Sequence, residues 1–518
     1  MNKQCFRVIF SKTLQRLVVV SELAKSEGKS SEQSSFSLSQ IFAKMRPLTF
    51  SLFCALGFVS FSDNVLAGTL IIQADKTAPK NQQPIVLQTA NGLPQVNIQT
   101  PNDKGLSHNK YNQFSVDTKG AVLNNSRTNT QTQQGGWVQG NPYLARGEAK
   151  VILNEVTSNN PSVLKGYVEE KKKKADVIIA NPNGIHCAGC GVINSDRATL
   201  TTGKPQVKNG HLDSFVVEKG KVSVSGKGLD NSRVDYTEIL AREAEVNAGI
   251  WSKKETKVVT GKNTIKRSNN TEELQIIHTN QPLADENQPK FAVDVGELGG
   301  MYSGKIHLIG TENGIGVRNA GHIGASRETL KIDSQGRIVN RGTFNAQKEV
   351  QLAGTKGIEN HGKLETNQGN IVLTSQADIQ QHGSIVARQG NIQQRAVNGI
   401  RQSGETIAKG KISFDANRVE ASESSLIAAG VEIQQTAQGE ARQLSPQTDN
   451  GKDIQISTRQ QAVLNGKNIA SGTLSINAQN VNLDKRQTSA NNIKVKAKSG
   501  DMQANQAKLS AKETLRLN

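Results

Sequence analysis

The chain has 518 residues, of which 35% are hydrophobic and only 4% are aromatic, so a large globular core anchored by Phe and Trp is excluded. The abundance of glycine, with 47 residues, instead suits a repetitive β fold of short strands and many turns. The formal net charge of +18 permits attraction to lipopolysaccharide, sulfated glycans or anionic membranes. Aromatic side chains interleaved for base stacking are missing, so we expect no nucleic acid partner.

The first 67 residues have the features of an export signal rather than of a folded domain. Residues 48–61, LTFSLFCALGFVSF, form an apolar segment that follows basic residues and is too short for a comfortable transmembrane helix. The small residues Val65 and Ala67 predict cleavage between Ala67 and Gly68. The part before the apolar segment is much longer than an ordinary basic region. The opening residues MNKQCFRVIFSKTLQRLVVVSELAKS resemble the extended signal-peptide region of very large exported proteins of Gram-negative bacteria, and this resemblance implies an extended signal peptide at residues 1–67.

From residue 68 onward, short segments rich in Val, Ile and Leu alternate with Asn, Gly and Pro. This pattern predicts short β-strands separated by turns. Residues 235–247, DYTEILAREAEVN, have helical propensity but only a partial apolar stripe, so helix and strand both stay open there. Residues 253–288 are polar and charged, which predicts an exposed loop or insertion.

The stretch DVIIANPNGIHCAGCGVINSDRATLTTG at residues 176–203 combines a strand, a tight turn and a cysteine pair. An apolar run ends in a four-residue turn motif, because Pro presets φ and Asn and Gly tolerate positive φ. The motif consists of Asn181, Pro182, Asn183 and Gly184.

Cys187 and Cys190 follow this turn and are the only cysteines after residue 67. A zinc site would need two further ligands, and only His186 is near. A thioredoxin-like motif would need a βαβ context, and a c-type haem site would need His in place of Gly191. A structural disulfide in an exported protein is the favoured interpretation.

An internal repeat follows, in which the tripeptide Asn/Gln-x-Gly recurs with spacings of 21, 20, 21 and 21 residues. A unit this short fits one coil of a β-solenoid, since the frame of a leucine-rich repeat is absent. Stacked coils would align Asn in a ladder and place Gly at corners that need positive φ. The repeats begin at Asn319, Asn340, Asn360, Gln381 and Gln402.

The middle residues of three successive repeats are Arg341, His361 and His382. In stacked coils they would form one surface column, for which a plain exposed corner is favoured over a metal site. The run of four lysines at residues 171–174 is interpreted as a solvated loop in preference to a glycan contact. No Ser-His-Asp or other catalytic set can be assigned, and no metal or cofactor is expected.

Four long passages resemble the N-terminal part of filamentous haemagglutinin-type exoproteins of two-partner secretion systems. They cover most of residues 68–325 and read QQPIVLQTANGLPQVNIQTP, VLNNSRTNTQTQQGGWVQGNPYLARGEAKVILNEVTSNNPS, DVIIANPNGIHCAGCGVINSDRATLTTGKP and DVGELGGMYSGKIHLIGTENGIGVRNAGHIGA. The resemblance implies an all-β, right-handed parallel β-helix with capping strands. It implies a secretion domain at residues 68–310, and residues 311–518 would be β-helical haemagglutinin-type repeats of 20–21 residues.

The resemblance also implies partners and export motifs. After Sec-dependent passage into the periplasm, an outer-membrane Omp85-type transporter would recognise the secretion domain through its POTRA domains. The family motif of the Asn-Pro-Asn-Leu type falls on Asn141, Pro142 and Leu144, with Tyr143 where Asn is often found. The Asn-Pro-Asn-Gly motif falls intact on residues 181–184.

The leading hypothesis is a non-enzymatic adhesin that is secreted or cell-surface associated and binds a host-cell glycan or a bacterial-surface receptor. An alternative is a truncated stalk of a contact-dependent growth inhibition toxin or a haemolysin-type exoprotein. A third hypothesis, a carbohydrate-active β-helix enzyme, is disfavoured because no acidic or basic cluster recurs at the repeat spacing.

Overall fold

The computed structural model describes residues 6–11, 16–21, 71–171, 174–267, 273–278, 289–435, 442–446, 452–484 and 487–518. The chain divides into two units, Met1–Thr69 and Leu70–Asn518. In the first unit, Phe6–Ser11 and Arg16–Ser21 pair as an antiparallel hairpin. The predicted cleavage site at Ala67 and Gly68 lies outside the described residues. Within the described ranges, no helix is long and apolar enough to cross a membrane.

The second unit is a parallel β-solenoid of about 16 coils, which confirms the predicted all-β, repetitive fold. Successive coils pair in register along three parallel sheets, called face 1, face 2 and face 3. Each coil adds one strand to a face, so equivalent residues of neighbouring coils lie side by side. The hydrophobic core runs through the inside of the coils without a break at residue 310, where the predicted boundary between secretion domain and repeats stays a prediction.

Face 1 has sixteen strands within the described ranges. They are Leu106–Phe114, Val151–Val156, Asp176–Ala180, Arg197–Thr201, Tyr236–Ala241, Glu255–Thr260, Lys305–Gly310, Thr329–Ser334, Glu349–Gly354, Ile371–Ser375, Ile392–Ala396, Ile412–Ala421, Ile454–Leu464, Thr473–Ala478, Gln487–Ala497 and Lys508–Leu517. The last two also contribute to face 3, and the strands at 412–421 and 454–464 continue into face 2.

The other two faces are built from shorter strands. Face 2 contains Ser162–Leu164, Ile185–Cys187, Lys221–Val224, Glu243–Val246, Phe291–Val295, Gly316–Asn319, Ile338–Asn340, Ile358–Asn360, Ile379–Gln381, Gly399–Gln402, Asn480–Asn482 and Met502–Gln503. Face 3 contains Leu229–Asn231, Gly249–Ser252, Gly300–Ser303, His322–Ala325, Thr343–Ala346, Lys363–Thr366, Ser384–Ala387, Glu405–Ala408, Leu426–Ala429 and Lys467–Ala470.

Further elements surround the solenoid. Ile72–Ala74 pairs antiparallel with the first strand of face 1 and covers its edge. A five-stranded sheet comprises Ile85–Gln88, Pro94–Asn97, Ala121–Asn124, Tyr167–Glu170 and Gly191–Ile193, and a four-stranded antiparallel sheet comprises Lys204–Lys208, His211–Val217, Asn263–Arg267 and Leu274–His278. Two hairpins are formed by Thr130–Gln131 with Trp137–Val138 and by Val431–Gln435 with Arg442–Pro446, and the 3-10 helices are Lys80–Gln82 and Pro142–Leu144.

The fold decides one expectation that the sequence left open and corrects another. Residues 235–247, which were open between helix and strand, form two strands that meet at a corner at Arg242. The expectation of a loop at residues 253–288 is wrong for its first part. Glu255–Thr260 is a full strand of face 1, and two strands of the four-stranded sheet follow it. Polar side chains are tolerated here because every second residue of a solenoid strand points outward.

The four-stranded sheet gives the first coils a second apolar layer. Ile178 and Ala180 point out of face 1 and pack with Phe215 and Ile265 of that sheet, whereas Val177 and Ile179 point into the solenoid core. A strand that is buried on both sides is apolar at every position. This accounts for the continuous run Val-Ile-Ile-Ala before the Asn-Pro turn.

The inward column of the repeats confirms the predicted core. Ile323, Phe344, Leu364 and Ile385 are fully buried and occupy equivalent positions in four successive coils of face 3. The next position is Thr406, whose hydroxyl donates a hydrogen bond of 2.9 Å to Oε1 of Gln402. The polar side chain is therefore satisfied where the apolar pattern is interrupted.

The predicted ladder of amide side chains is also confirmed. Asn319 Nδ2 donates to Asn340 Oδ1 at 2.8 Å, Asn340 Nδ2 donates to Asn360 Oδ1 at 2.7 Å, and Asn360 Nδ2 donates to Gln381 Oε1 at 2.7 Å. These four side chains are buried. Each amide has both a donor and an acceptor, so one column can satisfy itself from coil to coil and fix their register.

The glycines of the repeats are required by close approach of the backbone, which corrects the expectation of positive φ. None of the five, Gly321, Gly342, Gly362, Gly383 and Gly404, has a left-handed φ. A Cβ on Gly342 would lie 1.9 Å from the carbonyl oxygen of Gly321, and a Cβ on Gly362 would lie 2.0 Å from that of Gly342. Backbone rests on backbone at this corner, and any side chain would force the coils apart.

Replacing Gly362 by Ala is expected to lower the free energy of unfolding by about 3 kcal/mol or more, because the added methyl group can be accommodated only by a backbone shift. Gly310→Ala is the matched control, since the nearest atom to its Cβ would be at an ordinary 3.5 Å. Urea unfolding followed by far-UV circular dichroism measures both variants. Equal stability of the two variants would contradict the close-approach explanation.

Candidate functional site

The Asn181 turn is built around a buried amide. Asn181 is fully buried, and its Nδ2 donates to the carbonyl oxygen of Asn160 and to Oγ of Ser162, both at 2.9 Å. Its Oδ1 accepts the backbone N–H of Asn183 at 3.0 Å, which closes an Asx turn. The side chain therefore joins the turn to the preceding coil.

The remaining turn residues complete this corner between face 1 and face 2. The N–H of Gly184 donates to the carbonyl oxygen of Asn181 at 3.0 Å, and Gly184 has a φ of +110°, which disfavours any other residue. Asn183 is half-buried, and its Nδ2 donates to the carbonyl oxygen of Ser158 at 2.7 Å. Its Oδ1 accepts from Lys219 at 3.0 Å.

The Asn141 loop repeats the same chemistry at a different place. Asn141 is buried and caps the 3-10 helix Pro142–Leu144, since its Oδ1 accepts the N–H of Tyr143 at 3.0 Å. Its Nδ2 donates to the carbonyl oxygens of Ile98 at 2.9 Å and Asn124 at 3.0 Å.

Leu144 of this loop is fully buried in the core, whereas Pro142 is exposed. Among the described residues, no hydrogen bond joins this loop to the Asn181 turn. The structure thus gives both sequence-predicted motifs one design, in which a buried Asn closes a turn and ties it to neighbouring segments.

Cys187 and Cys190 are joined by a disulfide that lies in the core beside the Asn181 turn. Cys187 ends a strand of face 2, and Cys190 forms a parallel bridge with Leu229 of face 3. Gly189 between them has a φ of +110°. The disulfide therefore spans the corner between the two faces. The ring nitrogens of His186 face two serines, since Nδ1 contacts Oγ of Ser223 at 2.8 Å and Nε2 contacts Oγ of Ser225 at 3.3 Å.

Sequence reasoning missed two buried glutamates next to the Asn141 loop. Glu169 accepts the backbone N–H groups of Gln133 at 2.7 Å and Gln134 at 2.9 Å. Glu170 accepts from Nδ2 of Asn125 at 2.9 Å, and burial raises the pKa of this carboxyl to about 8. A pair of glutamates in a β pattern predicts an exposed edge, so only the fold reveals that both are buried hydrogen-bond acceptors.

A second missed cluster fastens the four-stranded sheet to face 1. Buried Glu238 binds Arg197 at 2.6 Å, Arg267 at 2.5 Å and Oγ1 of Thr199 at 2.8 Å. Burial raises the pKa of Glu238, but the two guanidinium groups and the hydrogen bonds to the carboxylate together lower it by more. The pKa of Glu238 therefore lies below its usual value. The carboxylate is thus held ionised between the two layers.

The histidine column of the repeats is present as predicted. The rings of His361 and His382 stack with centroids 4.8 Å apart, and His382 Nδ1 contacts Ser403 Oγ at 2.7 Å. Within the described part of the chain, no cluster of three or more potential metal ligands exists. Half of the lysine run, Lys172 and Lys173, lies outside the described residues, and Lys174 forms an ion pair of 2.8 Å with Asp196.

A β-solenoid that follows an export signal and begins with fixed Asn-Pro turns defines the class of secreted solenoid exoproteins. A family model of the TPS secretion domain matches residues 71–340, and the Extended Signal Peptide of Type V secretion system matches residues 1–48. The chain belongs to the TPS secretion domain family. It is therefore a two-partner secretion exoprotein, which crosses the periplasm and is secreted across the outer membrane by a partner transporter in that membrane.

Solved and curated relatives agree with this assignment. The crystal structure of a filamentous hemagglutinin secretion domain is 34% identical, with a TM-score of 0.51, and covers 58% of this chain and 98% of that domain. Toxin CdiA of Yersinia pestis is 48% identical over 70% of this chain, and tRNA nuclease CdiA-2 of Burkholderia pseudomallei is 40% identical over 67% of it. In both cases the match spans 11% of the relative's length.

Glu170→Gln is expected to flatten the pH dependence of stability. The pKa of Glu170 is raised from 4.5 to about 8 in the folded chain, so the folded state retains a proton that the unfolded state has released. Stability therefore falls as pH rises through this window, by at most about 1.4 kcal/mol per pH unit, and Gln removes that slope. Urea unfolding at pH 5 and pH 8 measures it. Glu297→Gln, on an exposed turn, should keep the wild-type slope, and an unchanged slope in Glu170→Gln would refute the assignment.

In secreted protein, Cys187 and Cys190 are expected to resist alkylation until a reductant is added, as followed by mass spectrometry. The double variant Cys187→Ala, Cys190→Ala should lose stability toward the low end of about 2–4 kcal/mol, because the closed loop is small. Free thiols in the untreated secreted chain would show that the disulfide is not formed during export.

Proposed function

We propose that residues 68–310 form an export domain whose Asn-Pro turns must fold for secretion, and that residues 311–518 begin a β-helical stalk. After Sec-dependent passage through the inner membrane, the POTRA domains of an Omp85-type transporter bind the export domain in the periplasm. The chain then crosses the outer membrane unfolded and winds up outside, coil by coil. The observation that carries this proposal is the shared design of the two turns, each fixed by one buried Asn.

The turns act in this proposal by shaping the first coils. Asn141 and Asn181 are buried, so a transporter cannot contact their side chains in the folded state. Their amides instead tie each loop to the segment beneath it, and the first coils provide the template on which later coils stack. In a solenoid, an unformed first coil leaves the next coil without a partner. The same turns therefore determine whether folding outside the cell can begin.

Once outside, the folded solenoid remains associated with the cell surface and presents a binding surface to a host-cell glycan or a bacterial-surface receptor. The chain has no catalytic role in this proposal. The uniform repeats that begin at Asn319 suit a spacer better than a pocket-bearing enzyme. Adhesion is thus the activity that we assign to the exported chain.

A second candidate is the stalk of a contact-dependent growth inhibition system. Relatives named Toxin CdiA and tRNA nuclease CdiA-2 match this chain over about two thirds of its length or more. In this candidate the β-solenoid of the present chain serves as the stalk, and the toxic activity would belong to a separate toxin domain. The DNA downstream decides between the candidates, since a continuing frame with a toxin domain and an immunity gene favours toxin delivery.

Asn181→Ala and Asn141→Ala are expected to lower secretion severalfold, because each removes the hydrogen bonds that a buried side-chain amide makes to neighbouring segments, at a cost of roughly 1–3 kcal/mol. Asn183→Ala should have a smaller effect, since Asn183 is only half-buried. Asn159→Ala, at an exposed position nearby, is the matched control. Immunoblots of medium and periplasm, from cells with and without the transporter, provide the measurement. Wild-type amounts of all variants in the medium would rule out the proposed role of the turns.

A further inference from the structure

Face 3 carries an aromatic stripe on its outer side, formed by Trp251, Tyr302 and His322. Trp251 and Tyr302 are neighbours in register on adjacent coils, with ring centroids 6.0 Å apart and planes inclined by 16°. The ring of His322 meets that of Tyr302 edge-on at 5.4 Å. Trp251 keeps 36% of its surface exposed. Since the chain has only 4% aromatic residues, three rings in contact on an outer surface need an explanation.

Two glycines lie directly beside the rings of the stripe. The ring of Trp251 leans along its own strand over Gly249, where a Cβ would come within 2.3 Å of the indole. The ring of Tyr302 leans in the same way over Gly300, where a Cβ would lie 2.8 Å from the hydroxyl oxygen. Both glycines therefore leave room for a ring to lie low against the sheet. Glycine two positions before each aromatic residue thus leaves the space that the aromatic ring occupies.

Hydrogen-bonding groups stand at both ends of the stripe. Asp230 pairs in register with Trp251, and its carboxylate accepts the hydroxyl of Tyr167 at 2.8 Å. At the other end, Nε2 of His322 lies 3.3 Å from Oδ1 of Asn345. Carboxylate and amide groups beside an apolar ring surface are the groups that recognise hydroxyl groups of a sugar, whose C–H face stacks on the ring.

The charge around the stripe favours a neutral ligand. Burial lowers the pKa of His322, so its ring is uncharged at neutral pH. On the next coils the charged groups compensate one another, because Glu365 binds both Lys363 and Arg388. These two cations are already paired with a carboxylate and therefore offer an anionic polymer little attraction.

We propose that the aromatic stripe is a binding site for a neutral oligosaccharide, with successive pyranose rings stacked on Trp251 and Tyr302 and hydroxyl groups bonded to Asp230 and Asn345. Stacked coils place the two rings about one sugar unit apart along the solenoid axis, so a linear chain of sugars would run parallel to that axis. This inference gives a ligand class and a location to the receptor binding assigned above, and it rests on that proposed role.

Tryptophan fluorescence tests the site without altering it. The chain has two tryptophans, so the full chain carrying Trp137→Phe reports from Trp251 alone. Cellohexaose, chitohexaose and maltohexaose are titrated separately, together with a heparin fragment. We expect a saturable change in Trp251 fluorescence with at least one neutral hexasaccharide. No response to any of the three, or a response to heparin alone, would overturn the proposal.

Substitutions then locate the binding by calorimetry with the responsive sugar. Trp251→Ala and Tyr302→Ala should each weaken it by about tenfold or more, as expected for a central aromatic contact. Trp137→Ala is the matched control, because Trp137 is 68% exposed on a separate hairpin. Full affinity in both stripe variants would overturn the assignment.

Circular dichroism checks that each variant is folded. If Trp251→Ala does not fold, the fluorescence titration of the Trp137→Phe chain still decides the question. All stripe variants should be secreted like the wild type. Failure of sugar binding with normal secretion would refute the stripe alone, whereas failure of the Asn181 and Asn141 secretion test would refute the export proposal alone.

Discussion

Stacking of one coil directly on the next is the constraint on which the rest of this molecule depends. At the repeat corner the backbone of Gly362 rests on the carbonyl group of Gly342, and no side chain can be inserted between them. The neighbouring ladder of buried amides works because this separation is held constant. Each Asn reaches the next at 2.7–2.8 Å, and a change in the coil spacing would break the whole column. Backbone packing and side-chain hydrogen bonding therefore specify the same register.

The same constraint explains what sequence reasoning could predict. A column of equal residues must recur at the length of one coil, so the Asn-x-Gly spacing and the inward position of Phe344 follow from counting residues. The reason for glycine could not be derived in this way. Positive φ and close approach leave the same signature in a sequence, and only the distance to the coil below separates them.

Where the coil length changes, counting residues at a fixed interval no longer predicts which side chains are neighbours. Residues 263–267 and 274–278 pair in the four-stranded sheet instead of adding a coil, so Trp251 and Tyr302 are neighbours in space although they are far apart in the chain. The aromatic stripe and the Glu238 cluster are invisible to a repeat analysis for this reason. The Asn-Pro turns are different, because a turn is local and its residues identify it. Family resemblance located both motifs, and the structure adds that their Asn side chains are buried ties between segments.

The Cys187–Cys190 disulfide has a consequence for transport that follows from its size. It links residues only three positions apart, so it shortens an extended chain very little and adds no second strand to its cross-section. A bridge between distant residues would form a large covalent loop, and a narrow pore would have to admit two chain segments at once. A local bridge avoids this conflict between oxidation and threading. In the proposed export route, a chain already oxidised in the periplasm would carry this covalent link into the coil that forms outside the cell.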